Sequence, residues 1–248
     1  MKTDRPSKHT NRHVRSSSVH TLTTAANALR LLTLFSDKTP NLSVAEMSER
    51  LHLSKSIVSR MATTFVSEGV LEKDELTHRY RLGAALLELG LIAGELHPVL
   101  RASEEVVKQL RERTGRSSHL MLRDGDDCIC LTAQTAGDDD LPSAVGARVP
   151  LTACVSGLTI LAAVAAHHPA PDASLKTLRA IERNGFACAE EPSRPGIVSV
   201  ACPVFNALGD VVAAVGVSGA AYTWHQEARK TSVAHVARAA MTISARLR

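Results

Sequence analysis

Aromatic residues are scarce: one Trp, two Tyr and four Phe make up 3% of the 248 residues. Any core must therefore rest on Leu, Val, Ile and Ala. No apolar run approaches the roughly 20 residues that a membrane-spanning helix needs. The start, Met1-Lys2-Thr3-Asp4-Arg5-Pro6, leads into polar residues and not into an apolar signal region. A cytoplasmic protein is expected. The five cysteines, Cys128, Cys130, Cys154, Cys188 and Cys202, are odd in number and contain no Cys-x-x-Cys pair. That argues against a secreted disulfide framework and for a reducing compartment. Nucleophile-elbow, phosphate-loop and zincin patterns are missing. Cys154 or Ser156 at a helix start has the place of a nucleophile, but without those motifs the expectation is no enzyme, no metal and no cofactor.

What is present is a normal balance for forming cores, 44% apolar and 22% charged residues. The net charge of +4 is unevenly spread. Residues 1–81 hold 13 Lys/Arg against 8 Asp/Glu, or +5, and residues 82–248 hold 16 against 17, or −1. Positive charge gathered in one region is the footprint of a part that meets phosphate. Residues 1–20, with Lys2, Arg5, Lys8, Arg12, Arg15 and the run Ser16-Ser17-Ser18, are expected as a disordered basic arm. Such an arm either reaches DNA or serves solubility.

A helical pattern starts near Leu22, with Ala25, Ala28, Leu29, Leu32 and Phe35 at three- and four-residue steps. Ser43-Val44-Ala45-Glu46 is a capping-box pattern. It opens a short helix whose Val44, Met47 and Leu51 face inward. His52-Leu53 makes the turn, and Ser54 is a good N-cap for a third helix with Ile57, Met61 and Phe65 inward. Gly69 ends that helix as a left-handed cap. Val70–Lys73 and Arg79–Leu82 predict two short strands around a turn at residues 74–78. Three helices followed by a hairpin make a winged helix-turn-helix.

Beyond the hairpin, Leu82, Ala85, Leu86, Leu89, Ala93 and Leu96 form an apolar stripe. This predicts a linker helix that packs in a dimer or, alternatively, on its own domain. A helix follows over about 99–114. Strands are expected at 118–123, 128–134, 144–150, 186–189, 198–205 and 211–218, and helices at 154–167, 175–184 and 227–247. Asp138-Asp139-Asp140 reads as an acidic loop. The fold class expected is α+β, with helices on one side of the strands. The domains expected are the arm 1–20, the winged helix-turn-helix 21–82, the linker helix 83–97 and a sensor domain 98–248.

The third helix carries the chemistry. Ser54, Lys55, Ser56, Ser59 and Arg60 lie on the surface left open by its apolar positions. A helix fits the major groove of duplex DNA, and residues at its N-terminal end meet base edges while hydroxyls and cations also bond phosphates. Arg60 suits a guanine edge or a phosphate, and Lys55 a phosphate. On the hairpin, Arg79 and Arg81 flank Tyr80 and share one face, as a wing lying on the backbone would require. The bland alternative is a trihelical protein-interaction module.

The order of motifs resembles the IclR family of bacterial transcriptional regulators. The matching runs are 45–69, Tyr80-Arg81-Leu82-Gly83, residues 87–90, 146–151, 157–163, residues 196–205 and, after Gly209, Val217-Ser218-Gly219. The resemblance covers roughly residues 22–245. It implies a GAF-like effector domain, homodimers or dimers of dimers, inverted-repeat operators and a small effector such as an organic acid or aromatic metabolite. Matching positions place the effector pocket at Gly146, Ala153, Cys154, Ser199, Gly216 and Ser218, with Glu191 nearby. A helix N-terminus there would offer its amides to a ligand carboxylate. Two departures stand out: Leu158 replaces the family's usual Lys, and residues 167–175 are shorter than usual and contain Pro169 and Pro171. A rival reading is a redox- or metal-responsive regulator using Cys128 and Cys130, which point the same way on a strand, with His119 nearby. A zinc site needs further ligands at suitable spacing, and the sequence offers none.

Overall fold

The computed structural model describes residues 22–36, 38–137, 141, 143–165 and 175–248. The basic arm, the acidic run 138–140 and residues 166–174 lie outside the described residues. The chain separates into two compact units that divide between Leu91 and Ile92.

In the first unit, α1 (Thr23–Leu32), α2 (Val44–Leu51) and α3 (Lys55–Ser67) precede a hairpin of β1 (Leu71–Lys73) and β2 (Tyr80–Leu82). The capping box at α2 is complete: Ser43 Oγ accepts from Glu46 N, and the Glu46 carboxylate accepts from Ser43 N at 2.7 Å. His52 takes a left-handed conformation to end α2, and Leu53 leads into Ser54, whose Oγ accepts from Ile57 N to start α3. The core is Leu31, Leu42, Met47, Leu51, Val58, Met61, Ala62, Leu71 and Tyr80. Each fully buried aliphatic side chain among these contributes about 2 kcal/mol of burial. Two expected phases are corrected. Leu31, not Leu29, is the buried side chain of α1. In α3 the inward positions are Val58, Met61 and Ala62, with Phe65 packed beside them, while Ile57 is 46% exposed. The spacing 58, 61, 62, 65 is a true helical stripe, and Ile57 lies about 100° away from Val58 on a 3.6-residue turn.

α4 (Ala84–Leu96) is apolar apart from Glu88 and Glu95, and none of its residues is buried. Leu87, Leu89, Leu91 and Leu96 are 66%, 61%, 62% and 72% exposed.

The second unit is built on a six-stranded antiparallel sheet in the order β5-β4-β3-β8-β7-β6. Its strands are β3 (Ser117–Asp124), β4 (Asp127–Gln134), β5 (Arg148–Pro150), β6 (Ala187–Glu191), β7 (Arg194–Phe205) and β8 (Val211–Ala220). Its helices are α5 (Pro98–Thr114), α6 (Val155–Ala165), α7 (Leu175–Asn184) and α8 (Gln226–Arg246). Side chains alternate across the pleat. Leu120, Val200, Cys202, Val204, Val215 and Val217 face α5 and α8 in one cluster. Met121, Cys128, Cys130 and Ala214 face the other way, against Leu151, Cys154 and Ile160. The helices therefore cover both faces of the sheet, where the sequence reading put them on one side. Alternating apolar positions are the reason: several strands carry apolar residues on both parities, so both faces need cover. The architecture is α+β.

Candidate DNA-reading helix and effector site

The N-terminal end of α3 is open to solvent. Ser54, Lys55, Ser56, Ile57 and Arg60 are exposed, and Ser59 is half-buried. Lys55 and Arg60 have no partner among the described residues. Ile57 is the residue sequence reasoning missed here. It adds an apolar contact beside the hydroxyls, of the kind that meets a thymine methyl.

The hairpin arginines are placed differently from the expectation. Arg79 Nη2 donates to both Glu46 oxygens, at 2.8 and 2.9 Å, and to Asn41 O at 3.0 Å. It ties the hairpin to the start of α2. The Ser43 amide and the Arg79 guanidinium hold the Glu46 carboxyl down at about 2. Arg81 pairs across the strands with Glu72 at 2.6 Å. The face that was to carry two open cations thus carries two ion pairs, because Glu46 and Glu72 stand where the fold brings those arginines.

In the second unit, opposite residues of antiparallel strands share a face. The pairs Ser199↔Ser218 and Ser218↔Ser117 form one polar row, and Ala201↔Gly216 and Gly216↔His119 form the next. Both rows face α6. Ser117, His119, Ser156, Glu191, Ser199 and Ser218 are all buried. Gly216 is required: a Cβ there would sit 2.7 Å from Val200 O and 3.0 Å from His119 Nε2. Gly157 is required too, since its Cβ would lie 2.2 Å from Leu151 O.

The start of α6 is occupied by the chain's own groups. Glu191 Oε2 accepts from Val155 N at 3.0 Å, and Cys154 Sγ accepts from Gly157 N at 3.3 Å. The amides that were to receive a ligand carboxylate are therefore taken. Burial raises the Glu191 carboxyl, against the opposing pull of nearby Ser199, the Val155 amide and Arg194. His119 Nε2 lies 3.0 Å from Ser156 Oγ, and full burial pushes its imidazole down to about 4, so it is neutral. Of the four buried polar atoms that make no hydrogen bond of normal geometry among the described residues, three belong to this layer: His119 Nδ1, Glu191 Oε1 and Ser199 Oγ; the fourth is His97 Nδ1. Each such atom costs about 1–3 kcal/mol unless a water or a ligand meets it.

Of the seven expected pocket residues, Cys154, Glu191, Ser199, Gly216 and Ser218 belong to this buried layer. Ala153 is half-buried in the 3-10 turn just before it. Gly146 stands apart on an exposed turn, its N–H on Cys130 O. His119 and Ser156, named from the sequence for a metal site and as a nucleophile, were missed as members of the effector layer. The cysteine expectation is also corrected: the sulfur contact in the structure joins Cys128 to Cys154, at 3.6 Å, and Cys130 Sγ turns to Thr132 O. No group of His, Cys, Asp or Glu among the described residues is arranged to hold a metal. A cavity of about 780 Å³ opens elsewhere, between α6, α7, α8 and the turn end of β7, lined by Ala162, Ile181, Pro203, Phe205, Ala240 and Met241 among others. It shares no residue with the polar layer, and its lining is mostly apolar.

A winged helix-turn-helix in one unit and an antiparallel-sheet domain with a buried polar layer in the other define a DNA-binding regulator with a sensor. The model described as "IclR helix-turn-helix domain" matches residues 24–75, and that described as "Bacterial transcriptional regulator IclR C-terminal" matches residues 166–245. XynR of Escherichia coli is 25% identical over 211 residues, covering 77% of this chain and 83% of that protein. The glycerol operon regulatory protein of Streptomyces coelicolor is 27% identical over 220 residues, covering 82% and 85%. An IclR transcriptional regulator from Alicyclobacillus acidocaldarius has the same fold, with a TM-score of 0.81 at 24% identity over 92% of this chain and all of that one. So does an IclR homologue from Microbacterium hydrocarbonoxydans complexed with 4-hydroxybenzoate, with a TM-score of 0.77 at 20% identity over 90% and 98%. The chain belongs to the IclR family. It is a DNA-binding transcriptional regulator with a C-terminal effector domain, and not an enzyme. No described helix is long and apolar enough to cross a membrane.

Proposed function

We propose that two copies of this chain bind an inverted-repeat operator through α3 of each copy, and that a small metabolite in the C-terminal domain controls the binding from within the cytoplasm. The observation that carries the reading is the exposed start of α3, where Ser54, Lys55, Ser56, Ser59 and Arg60 surround Ile57 with both cations unpaired among the described residues. Arg60 reaches a base edge or phosphate, Lys55 a phosphate, and the hydroxyls position the helix. Arg79 serves as a brace for the hairpin, and Arg81 reaches phosphate only by leaving Glu72. The exposed leucines of α4 support dimerisation, because an exposed apolar helix needs a partner.

For the effector, the candidate polar contacts are Glu191 Oε1, Ser199 Oγ and His119 Nδ1, with Ser218, Cys154 and the space over Gly216 beside them. Glu191 already fills the helix N-terminus, so an organic acid entering here meets Glu191 through a hydroxyl donor and not through its carboxylate. 4-Hydroxybenzoate, the ligand of one solved relative, carries both groups. Selection of binding sites from a random duplex library tests the core claim. The expected product is an inverted repeat, with log K falling against log salt by about 0.9 per phosphate neutralised. Failure to enrich any duplex at low salt sinks the reading.

A further inference from the structure

The Cys128–Cys154 contact is a separate feature of the second unit. Cys128 lies on β4 and Cys154 is the residue that caps α6, 26 positions later. Both sulfurs belong to the cluster formed with Met121, Cys130, Leu151 and Ile160. The two thiols are not equivalent. Cys128 Sγ and Cys154 Sγ share one S–H contact, and Cys154 Sγ also accepts the Gly157 N–H. These contacts lower the Cys154 thiol, while the same pairing and burial raise Cys128. A sulfur at a helix start with a second thiol against it is the arrangement of an attacking and a resolving cysteine.

We propose that Cys128 and Cys154 are a thiol-oxidation site, forming a reversible intrachain disulfide that ties β4 to the start of α6 and thereby changes the regulator's DNA binding. The oxidant is hydrogen peroxide. Cys154 thiolate attacks one peroxide oxygen, the O–O bond breaks, and with one proton the products are Cys154 sulfenic acid and water. Cys128 sulfur then attacks the sulfenic sulfur, the S–O bond breaks, and the departing hydroxide takes the Cys128 proton as water. In sum, two thiols and one hydrogen peroxide give one disulfide and two waters. Closing the bond moves the sulfurs from 3.6 Å to about 2.05 Å. The bond engages the sulfur that caps Gly157 N and fixes the segment Leu151–Val155, next to Glu191. Both cysteines are buried, so a small oxidant reaches them during local opening. The bridge itself follows from the sulfur geometry. Its effect on DNA rests on the regulator reading above.

The experiment uses the full-length reduced protein and hydrogen peroxide. Peptide mapping without reductant is expected to find Cys128 joined to Cys154. The thiols titrated after unfolding should fall from the five in the sequence to three, and return with dithiothreitol. In Cys128→Ser no bridge forms, and dimedone traps Cys154 as sulfenic acid. A thiol count that stays at five, a bridge between other cysteines, or dimedone on another cysteine overturns the site. If Cys128→Ser does not fold, the wild-type peptide map decides alone. Duplex affinity is then compared for reduced and bridged protein, with a difference of about fivefold or more expected. Equal affinities with the bridge mapped overturn the regulatory half. If neither form binds any duplex, the regulator reading fails, and the bridge is judged on its map alone.

Discussion

Helices α3 and α6 begin by the same local device and end up with opposite properties. Ser54 Oγ accepts from Ile57 N at 3.4 Å, and Cys154 Sγ accepts from Gly157 N at 3.3 Å. Both caps leave the helix dipole pointing its positive end outward. At α3 that end faces solvent, with Lys55 and Arg60 beside it and Ile57 46% exposed at the third position. At α6 the third position is a glycine wedged against Leu151 O, and a buried carboxylate from β6 lies on Val155 N. The lesson is that a helix start becomes an anion site by what surrounds it and not by its cap. The α3 start is left free for phosphate. The α6 start is already answered from within the fold.

The sharpest way to break this comparison is pH, and it should give the largest effect. His119 is neutral in the folded state down to about 4, against 6.5 when unfolded. Between those values the unfolded chain binds a proton that the folded chain does not, so stability falls as pH drops from 6.5 toward 4. The full difference is on the order of 3 kcal/mol. Glu191 works the other way: its raised folded pKa adds stability as pH falls toward 4.5. Trp224, the chain's single Trp and buried in the second unit, reports this unit in urea titrations by fluorescence. His119→Gln should flatten the loss below pH 6.5. An unchanged slope would mean that His119 is not the titrating group. In the first unit Glu46 is held down at about 2, and its stabilising contacts weaken as pH falls below 4.5 toward that value.

The contrast also explains what could be read in advance. The α3 start was legible because its signals are local: a serine cap, a three-residue spacing and a glycine at the far end. Even there the phase slipped by one residue, because Ile57-Met61-Phe65 and Val58-Met61-Ala62-Phe65 are both helical stripes, and only the contacts with α2 and β1 choose between them. The ion pairs of Arg79 depend on a partner 33 positions away. The α6 layer was legible only as a family pattern. His119 joins it by pairing with Gly216 across two strands, and Glu191 reaches α6 from 36 positions downstream. No spacing rule announces contacts of that kind. The same holds for the two-faced helix cover of the sheet, which depends on strand order.

Next in size is Arg60→Ala. Losing one bidentate or phosphate contact should weaken duplex binding by about 1–3 kcal/mol, or roughly fivefold to 150-fold. Fluorescence anisotropy on a selected duplex measures it, and the melting curve should not move, because Arg60 has no partner among the described residues. Arg79→Ala should do the reverse: it frees Glu46 and loosens the hairpin, so the first unit loses stability before binding is lost. If both variants weaken binding equally with unchanged melting, the distinction between reader and brace is wrong.

The smallest effect separates the cap from the contact at one residue. Ser54→Ala removes the acceptor for Ile57 N and should cost the first unit about 1 kcal/mol. Water replaces part of the bond because the site is exposed. Ser54→Asp restores the cap, since its carboxylate accepts the same amide and suits the positive end of the helix. It also puts a negative charge where a phosphate is to lie, so duplex binding should fall further than in Ser54→Ala even as thermal stability returns. Stability and affinity moving in opposite directions at position 54 would mark the α3 start as an open anion site. Parallel recovery of both would place the DNA elsewhere on the unit.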